Sequence, residues 1–264
     1  MADEILFNTA SWIICIGLFA ILLGALAIGR WLGRRARANI DETAKSQASN
    51  LQGAILGLLA LLLAFTLSMA ISRYEARKQV IVDEANAIGT TYLRAKMLPP
   101  PQSAEAVSLL GRYVTLQLEL YNAGYDQARL QAVNQQTTQL QRQLWSIATT
   151  VSLEDNRSVP AGLFVQTLND TIDFDAKRNA AFQNRVPGVV IWLLFGVAAL
   201  AVGLVGYNDG LGTRRHFIGA LVIIVLLVAI IWVTIDLDLA QYGLIRVNQQ
   251  SMLNLQDFIA RDMP

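Results

Sequence analysis

The chain reads as an all-α integral membrane protein, with four transmembrane helices and an extramembrane helical bundle continuous with the second and third spans. Four charge-free apolar blocks carry that reading: Trp12 to Ile28, Gln52 to Ser72, Val189 to Tyr207 and Phe217 to Ile235. Each holds about 17 to 21 residues, enough for a helix to cross roughly 30 Å of hydrocarbon. The composition agrees, because 264 residues that are 54% apolar and 16% charged make too short a chain to bury four all-apolar helices in a soluble core. Tryptophan placement agrees as well. Trp12 and Trp31 bracket the first block, Trp192 lies early in the third and Trp232 late in the fourth, where amphipathic rings favour membrane interfaces.

The first element, with its basic loop, occupies residues 1–50. Its leading MADEILFN is acidic, and Arg34, Arg35 and Arg37 stand where a cleavage site would be, so it is expected to be a retained span and not a signal peptide. The second span, 51–72, runs without proline or turn residues into RYEARKQVIVDEANAIGTTYLRAKM. Leu51 to Met97 is therefore expected to form one helix of roughly 47 residues, about 70 Å long.

Residues 73–186 are expected to complete a helical bundle. Pro99, Pro100 and Pro101 stop the long helix, and Ser103 is the expected N-cap of the next, with Val107, Leu110, Val114, Leu118 and Tyr121 on one face. Asn122 to Gly124 ends it. A third bundle helix from about Asp126 to Val151 places Leu130, Val133, Thr137, Leu140, Leu144 and Ile147 together. After SLEDNRSVP, a fourth carries Leu163, Phe164, Leu168 and Ile172 and is expected to run on towards the third span, where Pro187 marks a start or a kink. The third and fourth spans fill 187–236, and 237–264 is a C-terminal tail.

On the second span Gly53, Gly57, Ala60, Ala64, Ser68 and Ser72 share one helix face. A small-residue stripe suits either close helix packing in lipid or the wall of a pore, and the residues leave both open. Gly17, Ala20, Gly24 and Ala27 on the first span form a matching set, expected to pack against it. Beyond the membrane Leu67, Ile71, Tyr74, Ile81, Ala85, Ile88 and Tyr92 form an apolar stripe broken at Lys78, opposite a polar one of Gln79, Asp83, Asn86 and Thr90.

Oxygen-bearing side chains recur near this end of several segments. Asp83, Glu84, Asn86, Asn169, Asp170, Asp173, Asp236 and Asp238 form a candidate cation-attracting cluster, whose hard oxygen donors would suit calcium, sodium or a pore mouth. The alternative is an ordinary salt-bridge network neutralised by Lys177, Arg178 and Arg77. No metal is assigned.

Enzyme chemistry is not expected. The single histidine, His216, lies beside Arg214 and Arg215, and the single cysteine, Cys15, lies inside the first span. They supply neither a zinc site nor a nucleophile triad. Neither a cofactor nor a nucleic-acid partner is called for. The cations of the short loops, Arg30, Arg34, Arg35, Arg37 and Lys45 in one and Arg214 and Arg215 in the other, favour a cytoplasmic side for those loops and an outside location for the bundle.

The run SRYEARKQVIVDEANAIGTTYLRA, the LND of Leu168 to Asp170, and the DLD of Asp236 to Asp238 followed by Gly243 resemble the bestrophin-like domain family of bacteria and plants. Leu239 and Ala240 depart from the Arg-Pro of many relatives. The resemblance implies a multi-pass protein of the bacterial inner membrane, in contact with the lipid bilayer and with inorganic ions. It implies a homo-oligomer, since bestrophins are pentameric ion channels whose second helix lines the pore. By that analogy Leu63, Phe65 or Leu67 is a candidate constriction. Bestrophins hold the helical region in the cytoplasm, opposite to the loop-charge reading. The expected function is an ion channel gated through its bundle. The alternative is a non-conducting envelope sensor or assembly protein whose bundle binds a protein partner.

Overall fold

The computed structural model describes residues 11–38, 40–124, 126–212, 217–239 and 244–262, and among them the chain is helical without a strand. Four of its helices are long and apolar enough to cross a membrane. The helices are α1 (Ser11–Ala36), α2 (Glu42–Ala95), α3 (Gln102–Asn122), α4 (Gln127–Glu154), α5 (Val159–Gln183), α6 (Gly188–Leu211), α7 (Phe217–Asp238) and α8 (Gln250–Asp262). They divide into two compact units, one of Met1–Arg73 with Arg185–Ile245 and one of Tyr74–Asn184 with Arg246–Pro264. The division cuts α2, an unbroken helix of 54 residues.

All four apolar segments belong to the first unit. Its α1 packs on α6 and α7, and α6 packs on α7. The α1–α6 approach is backbone to backbone. A Cβ on Gly29 would collide with the Gly203 carbonyl, one on Gly33 with that of Tyr207, and one on Gly206 with that of Leu26. The expected small-residue set of α1 is elsewhere, because Gly17 and Gly24 face open space and Ala20 and Ala27 are exposed. The tight packing of α1 is thus made by Gly29 and Gly33, one helix face away, against α6 instead of α2. The basic loop is also shorter than expected: α1 runs to Ala36 and α2 starts at Glu42, with the Asp41 carboxylate accepting from the Ala44 amide at 2.8 Å. Arg214, Arg215 and His216, like Ala240 and Gly243, lie outside the described residues.

The second unit joins the distal half of α2 to α3, α4, α5 and α8. Its core gathers Ile88 and Tyr92 of α2, Leu110 and Tyr113 of α3, Leu140 and Leu144 of α4, and Phe164 and Leu168 of α5. Met252, Leu255 and Ile259 close it from α8, so the expected tail contains a docked amphipathic helix. Asp262 fixes the far end of that helix, accepting from Lys96 Nζ at 2.6 Å and from the Tyr92 hydroxyl at 3.0 Å.

Two further boundaries differ from expectation. The helix α3 begins at Gln102 with Pro101 as its N-cap, and Ser103 lies inside the helix with its amide bonded to the Pro99 carbonyl. Here the proline run supplies the first acceptors itself, leaving a serine cap nothing to do. The helix α5 does not run on into the third span: it ends at Gln183, and α6 restarts at Gly188 with Pro187 as its N-cap. At its other end Ser158 caps α5 from the side chain, at 3.3 Å from the Ala161 amide.

Candidate functional site

On the apolar half of α2 the residues split cleanly by face. Leu59, Leu63, Thr66 and Ala70 are buried within the unit, whereas Gly53, Gly57, Ala60, Ala64, Ser68 and Ser72 are all exposed. A Cβ on Gly53 or Gly57 would meet nothing within 4 Å. Among the described residues Gly53 and Gly57 thus face open space, whereas Ala60 and Ala64 of the same stripe border a groove towards α7. That groove, about 420 Å³, is lined by Leu56, Leu59, Leu63 and Leu67 on one side and Ile223, Leu226, Leu227 and Ile230 on the other. Leu63 and Leu67 thus turn to α7, while Phe65 stays 62% exposed.

The polar anchors of this unit lie at its helix ends. Asn208 of α6 donates to the Ala48 carbonyl at 3.2 Å and to Gln52 Oε1 at 2.5 Å on α2, and Arg30 of α1 pairs with Asp209 at 2.9 Å. Asp236 and Asp238 of the DLD sequence are buried chain anchors. The Asp236 carboxylate accepts from the Leu244 and Ile245 amides at 3.1 and 2.8 Å, and that of Asp238 accepts from the Val186 amide at 3.1 and 3.0 Å. With their oxygens turned to backbone donors, both are engaged in holding the chain.

The other members of the expected acidic cluster belong to the second unit, which separates them into three places. Asp83, Asn86 and Asp170 line one open groove between α2 and α5, where Arg94 supplies a cation and donates to the Leu163 carbonyl at 2.8 Å. Asp83 also accepts from Gln79, and Asn169 donates to Asp173 on the α5 surface. Among the described residues no group of acidic, histidine and cysteine side chains is arranged to hold a metal ion.

Glu84 faces the bundle interior. It is fully buried, and Arg178 Nη1 reaches its two carboxylate oxygens at 3.0 and 3.2 Å. The same guanidinium donates to Gln117 Oε1 and, through Nη2, to Asp175 Oδ1 at 2.6 Å. Gln141 of α4 completes the node, donating to Asp175 Oδ2 at 3.0 Å and to the buried Tyr113 hydroxyl at 3.2 Å. All four main helices of the bundle thus meet in one hydrogen-bonded network. Burial pushes the Glu84 carboxyl up to about 7, with Arg178 opposing the rise and Asp175 adding to it. The Tyr113 hydroxyl is driven well above its ordinary range, first by burial and then by Asp175 and Glu84.

The node belongs to a longer seam between α2 and α5. Arg77 Nε donates to the Ala181 carbonyl at 3.1 Å and its Nη2 to that of Asn184 at 2.8 Å. Seven residues on comes Glu84 with Arg178, and seven further Thr91, whose hydroxyl lies 2.9 Å from that of Thr171. The partners on α5 descend by seven as well, from Arg178 to Thr171. Two turns of helix separate successive rungs on α2, and two turns separate Arg178 from Thr171 on α5, so these two rungs fix the register of the helices. Arg77, Thr91, Tyr113, Gln117, Gln141 and Thr171 had not been expected to act together. The available signal was the recurrence of polar residues at 77, 84 and 91, a heptad hidden beneath the more obvious apolar stripe.

The sequence profile of the Bestrophin-like domain matches residues 17–252. The chain belongs to this family. The bestrophin-like chain also shares its fold with a solved structure, a bacterial bestrophin homologue from Klebsiella pneumoniae carrying a point mutation. The match has a TM-score of 0.64 and 15% sequence identity, and covers 94% of this chain and 96% of that one. No curated protein matches the sequence. The EANAIGT sequence of this bestrophin-like protein lies at the centre of its second unit. Glu84 enters the node, Ala85 and Ile88 enter the core, and Gly89 leaves room for Leu255 of α8, whose Cδ1 would stand 3.2 Å from a Cβ there.

Proposed function

We propose that this bestrophin-like membrane protein assembles as a homo-oligomer and conducts inorganic ions along the exposed face of α2. The observation that carries the reading is that uncovered face: Gly53, Gly57, Ala60, Ala64, Ser68 and Ser72 lie on one side of a spanning helix and none is buried within the chain. Small side chains leave room for a water-filled passage, and Ser68 and Ser72 bring hydroxyls to it. Phe65, beside this face and exposed, is the constriction the reading favours over Leu63 and Leu67, which are engaged with α7. The bundle acts on the passage through α2, since the helix that carries the small residues also carries Arg77, Glu84 and Thr91.

Purified protein reconstituted into planar bilayers tests the reading. Current is expected, and a thiol reagent is expected to block it in a Ser68→Cys variant made in a Cys15→Ser background. Absence of current above that of protein-free bilayers, across salts and pH, would overturn conduction. Current that persists unaltered after modification of Cys-substituted Gly57, Ala64 and Ser68 would overturn the assigned face.

A further inference from the structure

The buried node of the second unit holds two carboxylates and one guanidinium. Arg178 lies 3.0 Å from Glu84 and 2.6 Å from Asp175, so with every group in its usual state the node carries one uncompensated negative charge. Among the described residues, the charged or titratable groups that face Glu84 come from two other helices. They are Asp175 and Arg178 on α5 and Tyr113 on α3, while α3 also offers neutral Gln117 and α4 neutral Gln141. Along α2 itself the next buried cation is Arg77, two turns away and bonded to carbonyls at the end of α5.

An unbalanced charge in a dry interior is costly, and a proton removes it without adding volume. The geometry also decides which carboxylate takes that proton. The Asp175 side chain keeps 15% exposure and accepts from Arg178, Gln117 and Gln141. Glu84 has no solvent exposure and shares its guanidinium with Asp175 and Gln117.

We propose that Glu84, Arg178 and Asp175 form a one-proton binding site inside the bundle, with Glu84 as the acceptor and the α2–α5 seam as the packing that the proton controls. Protonated, the node is neutral and the seam closes; deprotonated, it strains against its surroundings. Burial pushes the Glu84 carboxyl from its ordinary 4.5 up to about 7. Its contribution to stability is therefore fully present below about 4.5 and is lost as pH rises through about 7. The site stands independently of conduction and is measurable in the absence of current.

Hydrogen exchange on the full-length protein in detergent tests it, followed at α2 and α5 on either side of Glu84 and Arg178. After correction for intrinsic exchange, opening is expected to increase by up to about tenfold per pH unit across that window. Glu84→Gln keeps the neutral shape without the titration, and its opening is expected to be independent of pH. Asp175→Asn removes the second negative charge and is expected to move the rise to lower pH. A flat profile in the wild type, or a wild-type slope in Glu84→Gln, would overturn the site. Should Glu84→Gln fail to fold, an Asp175→Asn profile identical to the wild type would do so. In the wild type, infrared spectroscopy is expected to show a buried neutral carboxyl whose band disappears as pH rises through about 7. Its absence at acidic pH would also refute the assignment.

Discussion

Arg178 of α5 holds both carboxylate oxygens of Glu84 on α2, at 3.0 and 3.2 Å, where the two side chains are 7% and 0% exposed. Replacing Arg178 with Met leaves Glu84 buried without its cation. Above neutral pH the variant is expected to lose about 3 to 5 kcal/mol of bundle stability, the usual cost of breaking a buried pair. Glu84→Gln, which keeps a hydrogen-bonding side chain, is expected to lose less. Thermal denaturation of both in detergent checks the order, and equal losses would show that the pair is not the origin of the effect.

The α1–α6 contact gives a sharper steric test. Gly29→Ala and Gly206→Ala drive a methyl group into a facing carbonyl, so helix displacement at a cost of about 1 to 3 kcal/mol is expected. Gly17→Ala and Gly24→Ala enter open space and are expected to leave stability unchanged. Monodispersity and melting temperature in a mild detergent separate the two pairs.

Asp238 accepts the Val186 amide just before α6. Truncation to Ala leaves that buried donor without this carboxylate and is expected to cost about 1 to 3 kcal/mol. Faster proteolysis of the chain between α5 and α6 is the accompanying sign.

The C-terminal helix has its own pH dependence. Hydrogen bonds from Lys96 and then Tyr92 hold the Asp262 carboxyl below its ordinary 3.8. A depressed acid stabilises the folded form above its unfolded value, so the docking of α8 is expected to weaken as pH falls below about 3.8. Asp262→Asn is expected to remove that acid-dependent step. Hydrogen exchange confined to α8 reads it, and an unchanged acid profile would exclude Asp262.

Membrane orientation is open to a labelling test. Gln127, exposed at the start of α4, accepts a cysteine in a Cys15→Ser background. The loop charges predict labelling by an impermeant maleimide in intact cells, whereas the bestrophin arrangement predicts labelling only after lysis.

Much of the fold is legible in the sequence because it is local. Span length, the proline stop after α2 and the apolar faces of α3 and α4 depend on residues within a few turns of one another. Val133, Thr137, Leu140, Leu144 and Ile147 of α4 are buried as their spacing requires. The helix at the C-terminus shows its apolar face in the spacing of Met252, Leu255 and Ile259, but the surface that face covers, with Tyr92 and Ile88, is set by distant parts of the chain. The candidate site is legible only in part. The small-residue face of α2 follows from spacing, but its exposure follows from which helices the rest of the chain places beside it.

By itself, then, the sequence determined an all-α chain with four membrane-spanning helices, the long α2, and the motifs that mark the family. Periodicity and hydropathy are properties of one helix at a time, and these follow from them. Only the tertiary structure decided that Asp236 and Asp238 hold backbone amides, that Asp83 and Asp170 share a groove, and that Glu84 is turned inward to Arg178. The pairing joins residues 94 positions apart in the chain, and a carboxylate's role depends on its distance to a partner and its exposure to water, neither of which is set within its own helix.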